Sequence, residues 1–278
     1  MPTIVPEFPD GLTLPILEEI LGEEAPTDSE LQSIFQAIKP FEKIKYSAMI
    51  SPDIPDEEDT DHLCSKYGGK RPYISEQHPY PVCPHDNIPL CFFFQLSVSD
   101  IPEDIRPASL SAGSLIQLFK CSLEDECRGS LREGGADDPE YVCRLVTPPA
   151  ETAISVYPTT VESIRCRKVI EWSPCICYPN STEFFETTSD DVIDEWSDYL
   201  FEGLEAKFEY VGDGICGYAD WIQGVDFREC PVCGAASELV YHMESNDCLD
   251  YMFGDLGACQ IVVCPEHGDC VQMVWACH

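Results

Sequence analysis

The apolar positions of this 278-residue chain change period along its length, and each period names an element. Leu31, Ile34, Phe35 and Ile38 fall at i, i+3, i+4 and i+7, which predicts an amphipathic helix. Thr27 and Glu30 form a capping box ahead of it, and Pro40 closes it. Val192, Ile193, Trp196, Leu200 and Leu204 make one face of a second helix over about 190–207. Ser189 is its candidate cap, and Asp190 and Asp191 suit the positive end of the helix dipole. Phe92 to Leu96 and Leu115 to Phe119 are short apolar runs rich in aromatic and branched residues, the pattern of buried strands. Val271 to Trp275 predicts a closing strand. The apolar stretch Leu12 to Leu21 is expected to dock on the body, and the acidic residues 51–61 to form a solvated loop.

The pattern then repeats. Gly69, Cys83, the run Phe92 to Leu96, Gly113 and Cys121 are matched in order, at nearly constant spacing, by Gly217, Cys230, Leu239 to Met243, Gly257 and Cys264. These ordered matches predict a duplicated unit, with a period far too long for a solenoid. The expected fold is α+β and β-rich: two pseudo-repeats of a zinc-clipped β unit with flanking helices. The expected divisions are an acidic N-terminal extension with a helix (1–63), a first β-rich repeat (64–149), a linking region with the amphipathic helix (150–211), and a second β-rich repeat with a zinc site (212–278).

Cysteine chemistry sharpens this picture. Cys230-Pro231-Val232-Cys233 and Cys264-Pro265-Glu266-His267 each put two N/S ligands on one tight turn. Four such ligands fill a tetrahedral shell and leave no open position, so the pattern predicts a structural zinc rather than a catalytic one. Cys270 competes with His267 for the fourth place. A thioredoxin-type reading of Cys-Pro-Val-Cys fails because a strand, not a helix, is expected to follow it. The first unit offers Cys83, His85, Cys121 and Cys127 as a second, less regular zinc set, with Cys91 as a substitute. The alternative is a degenerate copy whose thiols pack in the core. His242 and Glu244 with Cys230 and Cys233 hold the parts of a zinc deaminase in reversed order, and that reading is rejected. No nucleophile elbow, phosphate loop or His-Glu-x-x-His helix is present.

Charge selects partners. Fifty-one acids against sixteen bases give a formal charge of −35, which repels nucleic acid and anionic membrane surfaces and attracts basic proteins or peptides. No apolar run is long enough to span a bilayer, and Met1 to Pro9 lacks the features of a signal peptide. A cytoplasmic location is therefore expected, in which seventeen cysteines serve as metal ligands or buried thiols rather than disulfides.

The run Cys230 to Gly234, Leu239 to Met243, Asp247, Met252 to Asp255, Gly257, Cys264 to His267 and Trp275 resembles the YwqG-like family of uncharacterised proteins. Gly68-Gly69, Pro89-Leu90, Phe94 to Leu96 and Leu115 to Cys121 extend the resemblance into the first half, although Asp86 stands where a second Cys is expected. A more distant likeness joins the chain to the programmed cell death protein 2 group, dedicated chaperones of a basic ribosomal protein with a similar duplicated, cysteine-clipped layout. The resemblance implies a fold and a metal habit and no established activity. The expected function is a non-enzymatic, acidic, zinc-stabilised module that binds a basic partner as a chaperone or immunity protein does. The alternative is a metal-dependent, hydrolase-like enzyme with an open site in the first repeat.

Overall fold

The structure is a computed structural model that describes residues 3–4, 9–22, 26–84, 87–121, 141–148, 157–158, 163–188, 191–208 and 212–278, with backbone alone at 3–4 and 191–192. The strands are β1 (Thr3–Ile4), β2 (Lys43–Ile50), β3 (Lys66–Tyr67), β4 (Cys91–Ser97), β5 (Leu115–Lys120), β6 (Tyr141–Val146), β7 (Arg167–Cys177), β8 (Gly214–Ile215), β9 (Glu238–Glu244), β10 (Ala258–Val263) and β11 (Val271–Ala276). The helices are α1 (Leu14–Leu21), α2 (Asp28–Ile38), α3 (Ser181–Thr187) and α4 (Asp191–Lys207).

All the strands join one sheet in the order β11-β10-β9-β8-β2-β7-β3-β4-β5-β6, with β1 added parallel to β7. Every other pairing is antiparallel. The two end strands, β6 and β11, come to lie against each other, and Tyr141 meets Trp275 at 6.5 Å between ring centroids. The sheet is thus a nearly closed barrel.

This corrects the expected fold class. The chain is not a balanced α+β arrangement of two clipped repeats; it is one mostly antiparallel barrel, and only 21% of it is helical. The physical reason is burial. Phe93 and Phe94 from β4 share one core with Tyr241 from β9, Ile261 from β10 and Trp172 from β7. A short meander with one apolar face cannot shield that face alone, so both halves close around a common interior. Phe94 stacks on Tyr241 at 4.4 Å, and the hydroxyls of Tyr67 and Tyr241 meet at the same depth. β2 and β7, the longest paired strands, hold the centre of the sheet through eight residues of register.

β4 and β5 are buried along both faces, which explains their unbroken apolar runs. The helices form a separate apolar layer. Leu17 and Leu21 of α1, Ile34 and Ile38 of α2, and Ile193, Leu200 and Leu204 of α4 pack around Ile176 and Tyr178 at the end of β7. Leu12 to Leu21 docks here as expected. The capping box at the start of α2 is present, with the Glu30 carboxylate accepting the Thr27 N–H at 2.8 Å. Ser189 and Asp190, read as the cap of α4, lie outside the described residues.

The acidic loop 51–61 departs from its expected solvation at one point. Asp59 is fully buried and takes both of its oxygens to the Lys66 ammonium, at 2.8 and 2.9 Å. No apolar periodicity marks this pairing, so the sequence pattern could not show it.

Candidate metal centre

Cys230 and Cys233 lie on the turn that precedes β9. The Gly234 N–H donates to the Cys230 carbonyl at 2.8 Å, and the Cys230 N–H to the Ala235 carbonyl at 2.8 Å. Gly234 closes the turn at φ 73°, a conformation that glycine adopts without a Cβ penalty. Cys264 and His267 occupy the turn between β10 and β11, pinned by the Cys264 N–H on the Cys270 carbonyl at 3.2 Å and the Cys270 N–H on the His267 carbonyl at 2.9 Å. Pairing of β9 with β10 brings the two turns to one end of the barrel.

The ligand atoms of Cys230, Cys233, Cys264 and His267 all lie within 4.8 Å of one another, close enough to hold a metal ion. Cys233 Sγ is 3.6 Å from Cys264 Sγ, and His267 Nδ1 is 3.8 Å from Cys230 Sγ and 3.6 Å from Cys264 Sγ. With Zn–S near 2.3 Å and Zn–N near 2.0 Å, tetrahedral edges are about 3.8 Å for S···S and about 3.5 Å for S···N. The residues fit such an ion. In this group the fourth member is His267 rather than Cys270.

Backbone dipoles prepare the sulfurs. Val232 N–H points at Cys230 Sγ at 3.4 Å, and the N–H groups of Glu266 and His267 point at Cys264 Sγ at 3.4 and 3.3 Å. Burial opposes ionisation of Cys230, but the N–H groups of Cys233 and Val232 and the neighbouring thiols outweigh it and hold this thiol below its ordinary value, while the coupled Cys233 thiol is pushed up in turn. A thiolate is the metal-binding form. The Ser109 hydroxyl donates to the Cys264 carbonyl at 2.7 Å, tying the centre to the first half of the chain. A Cβ on Gly268 would collide with the Ser109 carbonyl, so this approach needs glycine.

The first-half set has a different standing. Cys83 and Cys121 are buried in one apolar cluster with Leu90, Phe92 and Phe119. His85 and Cys127, the other two expected ligands, lie outside the described residues. Cys91 opens β4 and is buried in the main core. His242, set aside as a deaminase ligand, is fully buried in β9, with Nε2 3.3 Å from Glu244 and Nδ1 3.4 Å from Gln260. Asn180 forms a glycosylation sequon in sequence, yet its side chain accepts the Glu183 N–H at 2.8 Å and caps α3.

One feature had no motif to announce it. A cavity of about 360 Å³ lies between α4, the end of β7 and the segment after β8. Asp198, Glu202, Glu205, Asp220 and Glu244 line it, Tyr178 forms part of its wall, and no described basic residue lines it. Glu183 stands near by, and its carboxyl is raised to about 7 because burial outweighs the hydrogen bond from the Trp221 indole N–H at 2.8 Å. The acids come from three distant segments, so only the fold gathers them.

Among the described residues no helix is long and apolar enough to cross a membrane. No match is found among curated proteins. A family model does match, over residues 65–268, and its description is Domain of unknown function (DUF1963). That span takes in both turns of the metal centre and more than half of the chain, and YwqG-like proteins belong to the same family. The chain belongs to the DUF1963 family.

Proposed function

We propose that this chain is a non-enzymatic, zinc-stapled acidic module, YwqG-like within its family, that holds a basic partner protein in the cytoplasm as a chaperone or immunity protein does. The observation that carries the reading is the charge of −35, part of which is concentrated around the carboxylate-lined cavity. A lysine or arginine side chain entering that cavity meets five carboxylates and an aromatic wall, the combination that recognises a cation. The zinc at Cys230, Cys233, Cys264 and His267 has a structural role, since four protein ligands leave it no position for substrate. Long-range attraction would speed encounter, and the cavity would give the register.

The test is binding of a lysine- and arginine-rich peptide to the full chain, at low and at physiological salt, beside a Glu202→Lys/Glu205→Lys variant. The proposal expects binding that weakens steeply with salt and falls at least tenfold in the variant. Binding that ignores both salt and charge reversal refutes it. Recovery from host cells at low salt of a stoichiometric basic protein would name the partner.

A further inference from the structure

A second group of ligand-type side chains lies where the sequence analysis placed none. Asp213 follows Gly212 at the entrance to β8, and Asp247 and Cys248 sit on the turn that leaves β9. One ligand atom from each of the three lies within 4.8 Å of the other two. Asp213 is 1% exposed and Cys248 is buried, while Asp247 is exposed, so the group opens to solvent on one side. Cys248 Sγ is 3.7 Å from Asp247 Oδ2, and that oxygen also accepts the Asp213 N–H at 2.6 Å.

Asp213 carries the independent sign of a missing partner. Its Oδ1 accepts the Glu244 N–H at 2.7 Å, whereas its Oδ2 is buried without a hydrogen bond of normal geometry; the Tyr67 hydroxyl approaches the carboxyl group but is engaged with the Tyr241 hydroxyl. Leaving a buried carboxyl oxygen unmatched is costly, and native folds rarely do so without a ligand or water. Among the described residues no lysine, arginine or histidine forms an ion pair with Asp213 or Asp247. The backbone is also cleared for the group. Gly212 sits at φ 77°, and a Cβ there would collide with Asp247 Oδ2.

We propose that Asp213, Asp247 and Cys248 bind a second divalent cation of the zinc class. Two carboxylate oxygens and one sulfur are a borderline donor set, which suits zinc better than magnesium or calcium. Three protein ligands leave a fourth position for water or an exogenous ligand, in contrast to the closed Cys₃His set. The site therefore adds a metal-ligand function that the structural zinc cannot supply.

The experiment removes metal from the full chain, adds back Zn²⁺, and counts bound ions by native mass spectrometry, with circular dichroism to verify folding. Asp247→Ala, at an exposed position, and Cys248→Ser are each expected to bind one ion fewer than wild type. Cys233→Ser is expected to lose a different ion and to keep this one, so Asp247→Ala/Cys233→Ser loses two. Full wild-type occupancy in both Asp247→Ala and Cys248→Ser overturns the proposal, whatever the Cys233→Ser result. Retention of both ions in Cys233→Ser with loss of one in the other two would leave this site standing and refute the structural zinc instead.

Discussion

Replacing Lys66 by methionine isolates the ion pair buried under the acidic loop. Both side chains of the Lys66–Asp59 pair are fully buried. The ammonium also donates to the carbonyls of Arg71 at 2.7 Å and Asp61 at 3.1 Å. Methionine keeps the apolar stem and removes every one of these donors. The Asp59 carboxylate is then left in the interior without its counter-charge, while the Asp61 carbonyl keeps the Cys64 thiol at 3.4 Å and the Arg71 carbonyl keeps His62 Nδ1 at 3.2 Å. Removing one partner of a buried pair costs about 3–5 kcal/mol. That is a large part of the roughly 5–15 kcal/mol that stabilises a typical fold. Lys66 is in β3, which bridges β4 and β7, so the loss is global rather than confined to the loop. With an m-value near 3 kcal/mol/M, a loss of about 4 kcal/mol lowers the urea midpoint by about 1.3 M. Tryptophan fluorescence reads the transition through Trp172 in the core. Lys66→Met/Asp59→Leu should recover most of the loss, because no charge then stays buried. A single-variant loss below about 1 kcal/mol, the range of exposed pairs, would refute the reasoning.

Glu183 makes stability depend on pH. Its folded carboxyl titrates at about 7 against an ordinary 4.5, so the folded chain binds its proton more tightly than the unfolded one. Stability is fully present below about 4.5 and falls as pH rises to about 7, by at most about 3 kcal/mol. Glu183→Gln should abolish that slope in urea titrations across the window, and an unchanged slope would assign it to another group. Phe94→Ala removes the ring stacked on Tyr241 and should cost about 3–5 kcal/mol in the same assay, with a cost under 1 kcal/mol denying the shared core. Cys264→Ser removes a fully buried ligand that accepts two backbone N–H groups, and Cys233→Ser an exposed one. Both should lose the ion, and Cys264→Ser should lower Tm further; equal zinc content in both variants and wild type would count against the centre.

The parts of this fold that follow from local periodicity were legible in sequence. The capped helix at Asp28–Ile38, the apolar face of α4, and the runs that became β4, β5 and β11 each carry their burial in their own spacing. The two ligand turns were legible because Cys-x-x-Cys and Cys-x-x-His concentrate their chemistry within four residues. Closure into a barrel was not legible, since it depends on β6 meeting β11 across 125 or more residues of chain. For the same reason the grouping of Asp213, Asp247 and Cys248 left no mark in the sequence, nor did that of the cavity acids drawn from β9, α4 and the segment after β8. Lys66 and Asp59 looked like surface charges because a charge gives no periodic signal of its own burial.

Zinc K-edge X-ray absorption on the full chain carrying Asp247→Ala, which leaves the closed set as the ion-binding group under test, probes the central claim most directly. The account predicts stoichiometric zinc in a shell of three sulfurs at about 2.3 Å and one nitrogen at about 2.0 Å. Zinc absent from the folded chain, or held in a shell of oxygen and nitrogen alone, would contradict it.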